Sequence, residues 1–358
     1  MIKKLLLLLV SAAVLLSVCS CDAKAEEKSG DTPLRLFVDS AGREVMVPVT
    51  IDTIAPSGTN AQLMLYTLCP EKLLGLSQPF SRVQKRYIDE SCWDLPIFGQ
   101  FYGGSGTMNY EEIISAAPDI IIDIGEEKTN VAADMDELQA RTGIPVIFIE
   151  ASPNTFAKAY DMLGDVLGIP DRAAALSGFV REAMTLAETN RKLIGEEDII
   201  RAVYSQGEYG LEVNGYGSVH ACVLDAVGVR NVAVLGALSS KGGDEVTIDQ
   251  MLLWDPEVLI LANGSNYKEI FDDPMWANVT AVKEGCVFET PLGPYSWMGR
   301  PPSVQCVLGI LWLGNLLYPD LYDFDMTEKA QEFYSLFFDY ELSEEEAFDL
   351  LKNSTYSR

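Results

Sequence analysis

Apolar residues recur along the chain with two periods, and the longest run with the helical one lies near its middle. From Pro170, the positions Ala173, Leu176, Phe179, Val180, Ala183, Leu186 and Leu193 step mostly by three and four, the spacing of one buried helical face. Pro170 and Asp171 suit a first turn, and Gly195 follows Leu193-Ile194 as a stop. The pattern predicts a helix from Pro170 to about Leu193, roughly 36 Å long, filling a segment over 169–195. On both sides of it, short β-rich apolar runs alternate with helical stretches, the grammar of α/β layers. The expected fold is therefore α/β: two Rossmann-like lobes, 34–168 and 196–358, joined by a single long rigid helix. A surface helix inside one continuous domain would show the same period.

The first lobe opens with a hairpin over Leu34–Val47, turning at Asp39-Ser40-Ala41-Gly42. Strands are expected at Ile51–Ala55, Leu73–Leu76, Ile120–Ile122 and Pro145–Ile149. Helices are expected up to Leu68, near Asn130–Arg141 and near Asn154–Leu167. Ser57, Thr59 and Asn60 are all capable helix caps. Glycines in the Gly99–Gly106 loop permit close backbone approach, so this loop is either a site wall or a plain turn. In the second lobe Arg201–Tyr204 is a strand, and Asn214–Ser218 opens a helix containing His220. The apolar run from about Val304 to Leu317 is too short to span a bilayer and reads as a core helix. Two amphipathic helices follow, near Thr327–Phe338 and Ser343–Leu351.

One phrase occurs twice. Glu111 precedes Pro118 by seven residues, and Asp249 precedes Pro256 by seven; each proline is followed by an acid and an aliphatic strand. Two copies about one lobe apart predict two similar lobes.

The chain has 358 residues, more than one core usually organises. Its formal charge is −27, which repels phosphate backbones and excludes nucleic acid as a partner. The single histidine, His220, rules out an HExxH helix or a multi-histidine cage. No CxxC pair occurs among the seven cysteines, and neither a GxxxxGK[ST] loop nor a GxSxG elbow is present. No catalytic or metal-ligating set emerges.

At the N-terminus, Lys3 and Lys4 precede an apolar run, Leu5–Leu16, in the manner of a signal peptide. Val18-Cys19-Ser20-Cys21 resembles a bacterial lipobox with small Ser20 before the cut. Residues 1–20 are then a lipoprotein signal peptide, Cys21 the lipid-bearing residue, and 21–33 a flexible tether; Cys19 is the competing site.

Several phrases together resemble the substrate-binding proteins of bacterial ABC importers that capture iron-siderophore, haem and cobalamin. They are Val38-Asp39-Ser40-Ala41-Gly42-Arg43-Glu44-Val45, Glu111-Glu112-Ile113 through Pro118-Asp119-Ile120, Ala281-Val282-Lys283-Glu284-Gly285, Arg300-Pro301-Pro302-Ser303, Leu317-Tyr318-Pro319 and Glu332-Phe333-Tyr334. The resemblance implies two lobes on a rigid helix, a ligand in the cleft between them, and an extracytoplasmic lipid-anchored protein that serves an ABC permease dimer with its ATPase. It further implies that one surface acid per lobe, here Glu111 and Asp249, engages permease arginines. Both acids would equally favour a helix N-terminus. Cleft contacts are expected from Ser57, Thr59, Asn60, Tyr102, Tyr216, His220, Tyr295, Trp297 and Arg300. Tyr295 and Trp297 offer flat faces for a macrocycle, Arg300 a fork for an oxyanion, and His220 equally suits a structural hydrogen bond.

The implied ligand is an iron chelate (siderophore, haem or cobalamin-like), with no resident cofactor. A molybdate or tungstate-type oxyanion is the alternative, and a chelatase-like enzyme on the same fold a more remote one. The lipobox is directly testable. Cys21→Ser should release the protein from the membrane fraction, as judged by immunoblot of separated fractions; release by a Cys19 replacement alone would reassign the lipid site.

Overall fold

A computed structural model describes residues 33–102, 106–239, 242–299 and 301–356. The signal peptide, the tether before Pro33, Cys21 and Arg300 lie outside the described residues.

The N-terminal hairpin pairs β1 (Leu34–Val38) with β2 (Glu44–Pro48) in antiparallel register. Its turn is anchored by one carboxylate. Asp39 accepts from the backbone N–H groups of Ala41, Arg43 and Phe148, and its Oδ2 pairs with Arg43 Nη1 at 2.9 Å. Gly42 takes the left-handed conformation (φ 76°) that closes this turn. The first lobe continues through β3 (Ile54–Pro56), α1 (Thr59–Leu68), α2 (Tyr110–Ala116), β4 (Ile120–Gly125), α3 (Val131–Thr142), β5 (Val146–Glu150) and α4 (Phe156–Leu167). β3, β4 and β5 form a three-stranded parallel sheet in that order, and the middle strand is buried along its whole length. The strand expected at Leu73–Leu76 makes only isolated bridges, Ile54 to Leu73 and Leu76 to Ile97. Too few of its residues face a partner to continue a ladder.

The long helix is α5, Pro170–Arg191. It buries Ala173, Leu176, Phe179, Val180, Ala183 and Ala187, as the period requires, but ends before Leu193, which is 65% exposed. Asn190 Nδ2 donates to Leu321 O near this end.

The second lobe comprises β6 (Arg201–Gln206), β7 (Glu212–Val213), α6 (Cys222–Val227), β8 (Arg230–Asn231), β9 (Asp244–Glu245), α7 (Ile248–Trp254) and β10 (Val258–Leu261). It continues with α8 (Tyr267–Asp272), α9 (Thr280–Lys283), β11 (Val287–Glu289), α10 (Gln305–Leu317), α11 (Met326–Phe338) and α12 (Glu344–Leu351). The sheet order is β11-β10-β6-β7-β9, with β8 also on β6; the β11-β10-β6 part is parallel. Among the described residues no helix is long and apolar enough to cross a membrane.

The repeated phrase builds the same unit in each lobe. Asn109 caps α2 through the Glu112 N–H, and Thr247 caps α7 through the Gln250 N–H. Each seven-residue helix ends on a left-handed residue, Ala117 (φ 49°) or Asp255 (φ 42°), before its proline and strand. The acids after the prolines then bind the neighbouring strand's start. Asp119 accepts from the Thr53 N–H and Glu257 from the Arg201 N–H.

The two C-terminal helices do not stay on the second lobe. α11 packs on α1 and α5, with Phe179 meeting Phe333 and Phe337 at 5.6 Å each and Tyr66 stacking on Phe338 at 6.1 Å. The largest hydrophobic core consequently runs through both lobes.

Helix α10 crosses under the loop 291–299 at Gly309, where an added Cβ would lie 1.8 Å from Trp297 O. Gly309→Ala should therefore cost about 1–3 kcal/mol. Gly178 on α5 has open space around it, and its replacement by Ala should be neutral or stabilising by up to about 1 kcal/mol. Thermal melts should show a lowered midpoint for Gly309→Ala and an unchanged or raised one for Gly178→Ala.

Candidate functional site

A cleft of about 620 Å³ opens among the described residues. Its first-lobe wall comes from the carboxyl ends of the parallel strands and the loops after them, where ligands of open α/β sheets bind. β3 delivers Ser57 to Asn60, β4 delivers Asp123 to Glu126 with Lys128, and β5 delivers Ala151 to Asn154. Gln100 and Tyr102 join them. Met184 and Arg191 of α5 contribute, and Val219, Cys222, Asp225, Ala226 and Pro302 form the second-lobe wall.

The N-terminus of α1 opens onto this cleft with Gly58 at its N-cap and no side chain closing it. Ser57, expected as a cap, instead donates its hydroxyl to Asp123 Oδ1. Thr59 and Asn60 line the cleft beside the free first turn. That end carries roughly half a positive charge. Lys128 adds a full one, its Nζ 3.8 Å from the centre of the Tyr102 ring, while the Tyr102 hydroxyl donates to Asp134 Oδ2 at 2.6 Å. Burial, and then that acidic partner, push the Tyr102 phenol up.

Three acids offset these charges: Asp123, Glu126 and Asp225. Asp123 is only 4% exposed, and its Oδ2 has no hydrogen-bond partner among the described residues. Burial pushes its carboxyl above the usual range; Ser57 and Lys128 pull against that shift. Burial raises Asp225 too, and Arg191 opposes it.

Of the residues expected in the cleft, Ser57, Thr59, Asn60 and Tyr102 line it. Four others are placed elsewhere. Trp297 is fully buried and Tyr295 is 5% exposed. Their loop is pulled onto the helices beneath it, because Gln305 Nε2 and the Tyr334 hydroxyl both donate to Gly293 O and Gly309 admits the backbone of Trp297. They are core residues, and neither lines the cleft. Tyr216 is 62% exposed on an outer loop. His220 lies against Gly242, its N–H on Ser218 Oγ at 3.3 Å and its Nδ1 buried without a partner among the described residues; its neighbour Val219 reaches the cleft instead. Lys128, Asp123 and Arg191 were not singled out by sequence reasoning. Only the position of Asp123 at a strand's carboxyl end could have flagged it.

Glu111 and Asp249 stand exposed in the first turns of α2 and α7, matching positions of the repeated unit. No group of three or more His, Cys, Asp or Glu able to hold a metal ion occurs among the described residues.

Two α/β lobes on a long helix with a cleft between them are the architecture of a solute-binding protein. A family model described as periplasmic binding protein matches residues 100–292, more than half of the chain, and the chain belongs to that family. It is a family of binding proteins rather than enzymes. A solved ABC transporter solute binding protein from Sulfurospirillum deleyianum DSM 6946 is 29% identical, with a TM-score of 0.81 over 89% of this chain and 99% of that one. The molybdate-binding protein MolA of Haemophilus influenzae is 28% identical over 167 residues, 44% of this chain and 46% of MolA, so the chain spans just under half of that relative's length. YvrC of Bacillus subtilis, named as an ABC transporter substrate-binding lipoprotein, is 20% identical over 88% of this chain and 96% of its own length.

Asp123 makes the site's pH response predictable. Its folded carboxyl titrates above its unfolded one, so the native state binds the extra proton and stability falls as pH rises through that window. Asp123→Asn should remove this slope. Its melting temperature relative to the parent should rise from pH 4 to pH 8, and a constant difference across that range would show that Asp123 titrates normally.

Proposed function

We propose that this chain is the extracytoplasmic solute-binding component of an ABC importer, and that its cargo is a small oxyanion of the molybdate or tungstate type. The observation that carries the reading is the uncapped N-terminus of α1 opening on the cleft, with Lys128 and Arg191 on the same cavity. Free backbone amides at a helix start, with two cations nearby, are suited to a compact anion. The molybdate-binding relative is consistent with it. An iron chelate is the second reading, and the cleft volume favours it: about 620 Å³ is room for a larger solute. The burial of Tyr295 and Trp297 withdraws the aromatic faces that a haem or cobalamin-like ring would use.

Delivery follows from the repeated unit. Glu111 and Asp249 each stand on the exposed start of an equivalent helix, so each of two permease subunits would read one acid. Cys21, if lipidated, would tether the protein to the membrane that holds the permease and its ATPase.

Calorimetric titration with molybdate, tungstate, sulfate and ferric siderophores, run beside uptake in cells, tests both parts. Molybdate or tungstate should bind, and Lys128→Ala should weaken binding about 10- to 100-fold, the loss of one charge-assisted contact of roughly 1.5–3 kcal/mol. Glu111→Arg and Asp249→Arg should leave binding intact and sharply reduce uptake, since truncating one partner of an interfacial ion pair typically costs about 2–5 kcal/mol. Binding of the siderophores alone would select the chelate reading. Loss of solute binding in either arginine variant would return that acid to the cleft or the core.

A further inference from the structure

The fold brings together two cysteines that lie far apart in sequence. Cys222 opens α6 and Cys306 is the second residue of α10, two helices that pack on each other. Each thiol lies close enough to shift the other's titration, Cys222 upward and Cys306 downward. A Cβ built on Gly299 would lie 2.6 Å from Cys306 Sγ and 4.0 Å from Cys222 Sγ, so both sulfurs border one small space. The environments of the two differ. Cys306 is fully buried, whereas Cys222 is half-buried and lines the ligand cleft. The remaining described cysteines, Cys69, Cys92 and Cys286, have no second thiol beside them.

We propose that Cys222 and Cys306 are a redox-active dithiol on the cleft wall, converted to an intramolecular disulfide by small-molecule disulfides of the oxidising extracytoplasmic space. In the first step the Cys222 thiolate attacks one sulfur of the external disulfide; that S–S bond breaks and one thiol leaves with a proton. Cys306 then attacks Cys222 Sγ in the mixed disulfide, forming the internal S–S bond and expelling the second thiol. The two protein thiols lose two electrons and two protons, and the external disulfide gains both. Cys306 suits the second step because its sulfur borders the same small space as Cys222 Sγ. In the free dithiol Cys306 is held below the usual thiol range and Cys222 above it, so the first proton is lost through Cys306. Transfer of the Cys222 proton to the Cys306 sulfur then supplies the Cys222 thiolate for the first step. The product ties α6 to α10 and withdraws from the cleft the one thiol that its described wall presents. It is independent of which solute the cleft takes.

The test uses the purified full-length chain, reduced, freed of reductant and incubated with oxidised glutathione near neutral pH. Samples are quenched in acid, denatured, alkylated, digested and mapped by mass spectrometry. With oxidised glutathione in excess and no reductant present, exchange runs toward the internal disulfide, so alkylation at Cys222 and Cys306 should fall together by roughly tenfold or more. A linked peptide two hydrogens lighter should replace the two alkylated ones, while Cys69 stays fully alkylated. In Cys306→Ser the mixed disulfide cannot resolve, and a stable glutathione adduct should accumulate at Cys222. In Cys222→Ser, Cys306 should stay alkylated without an adduct. Full alkylation of both thiols in the unmutated chain would overturn the proposal, as would linkage of either to another cysteine. That map decides the matter even if a serine variant fails to fold.

Discussion

The shared packing of α5 and α11 across both lobes is the constraint on which the rest of the structure depends. A helix that merely linked two lobes would leave them free to swing about its ends. Here α5 packs on α4 of the first lobe and on α6 and α10 of the second, while α11 returns to lie on α1 and α5. Phe179 sits at the crossing, in contact with both Phe333 and Phe337. Aromatic pairs of this kind contribute about 0.5–1.5 kcal/mol each beyond their buried area. A wide hinge motion would break several of them at once and open a continuous core to water. Arg86 and Glu346 add an outer ion pair at 2.9 Å between the first lobe and α12. The cleft is accordingly preformed, and a solute gains affinity from groups already in place rather than from closure.

The repeated unit is a second constraint, and it explains why two acids far apart in sequence occupy equivalent surroundings. The left-handed residues Ala117 and Asp255 turn each short helix back so that its proline can start a parallel strand. Asp119 and Glu257 then fix that strand against its neighbour through backbone N–H groups. In the second lobe Asp255 takes on a further task, accepting from the Thr280 N–H and hydroxyl at 2.8 and 2.9 Å. Glu111 and Asp249 stay exposed because nothing in this construction needs their side chains. They also complement the N-terminal ends of their helices. Local stability and an outward-facing carboxylate are thus satisfied by the same residue in each lobe.

Where local periodicity decides the structure, it was readable from sequence. The spine, the 34–48 hairpin, α3, α4 and the last three helices fall within a few residues of their expected bounds, because each buries one regular face or carries its own cap. The shortfall at Leu193 is a tertiary effect: the apolar period continues, but nothing packs over that side chain. The same is true of Leu73–Leu76, whose apolar composition suits a strand that the three-stranded sheet does not extend to include. The site was less legible. Ser57, Thr59, Asn60 and Tyr102 could be read from their loops, since loops at strand ends converge. Tyr295 and Trp297 could not be placed, because their burial is set by Gly309 and Gln305 on a helix that follows them. No local rule links those positions.

The net charge is strongly negative while the cleft carries cations and a helix start alongside its acids, and that contrast bears on how the cleft works. With a formal charge of −27, the protein as a whole repels an approaching anion and slows encounter. At a Debye length of about 8 Å in physiological salt, most of that field is screened before it reaches the cleft. What remains at contact range is local: the start of α1, Lys128 and Arg191 against Asp123, Glu126 and Asp225. The two sets match in number, three against three, but differ in geometry. Asp123 lies beneath the wall, bound to Ser57 and raised by burial, so near its pKa it carries less than a full charge. Asp225 is raised too and faces Arg191. The deepest acids are therefore the ones whose charge burial weakens, while the helix terminus keeps its partial charge at any pH. A cleft of this kind discriminates through short-range donors rather than through long-range attraction, which suits capture by a protein whose outer surface is strongly acidic.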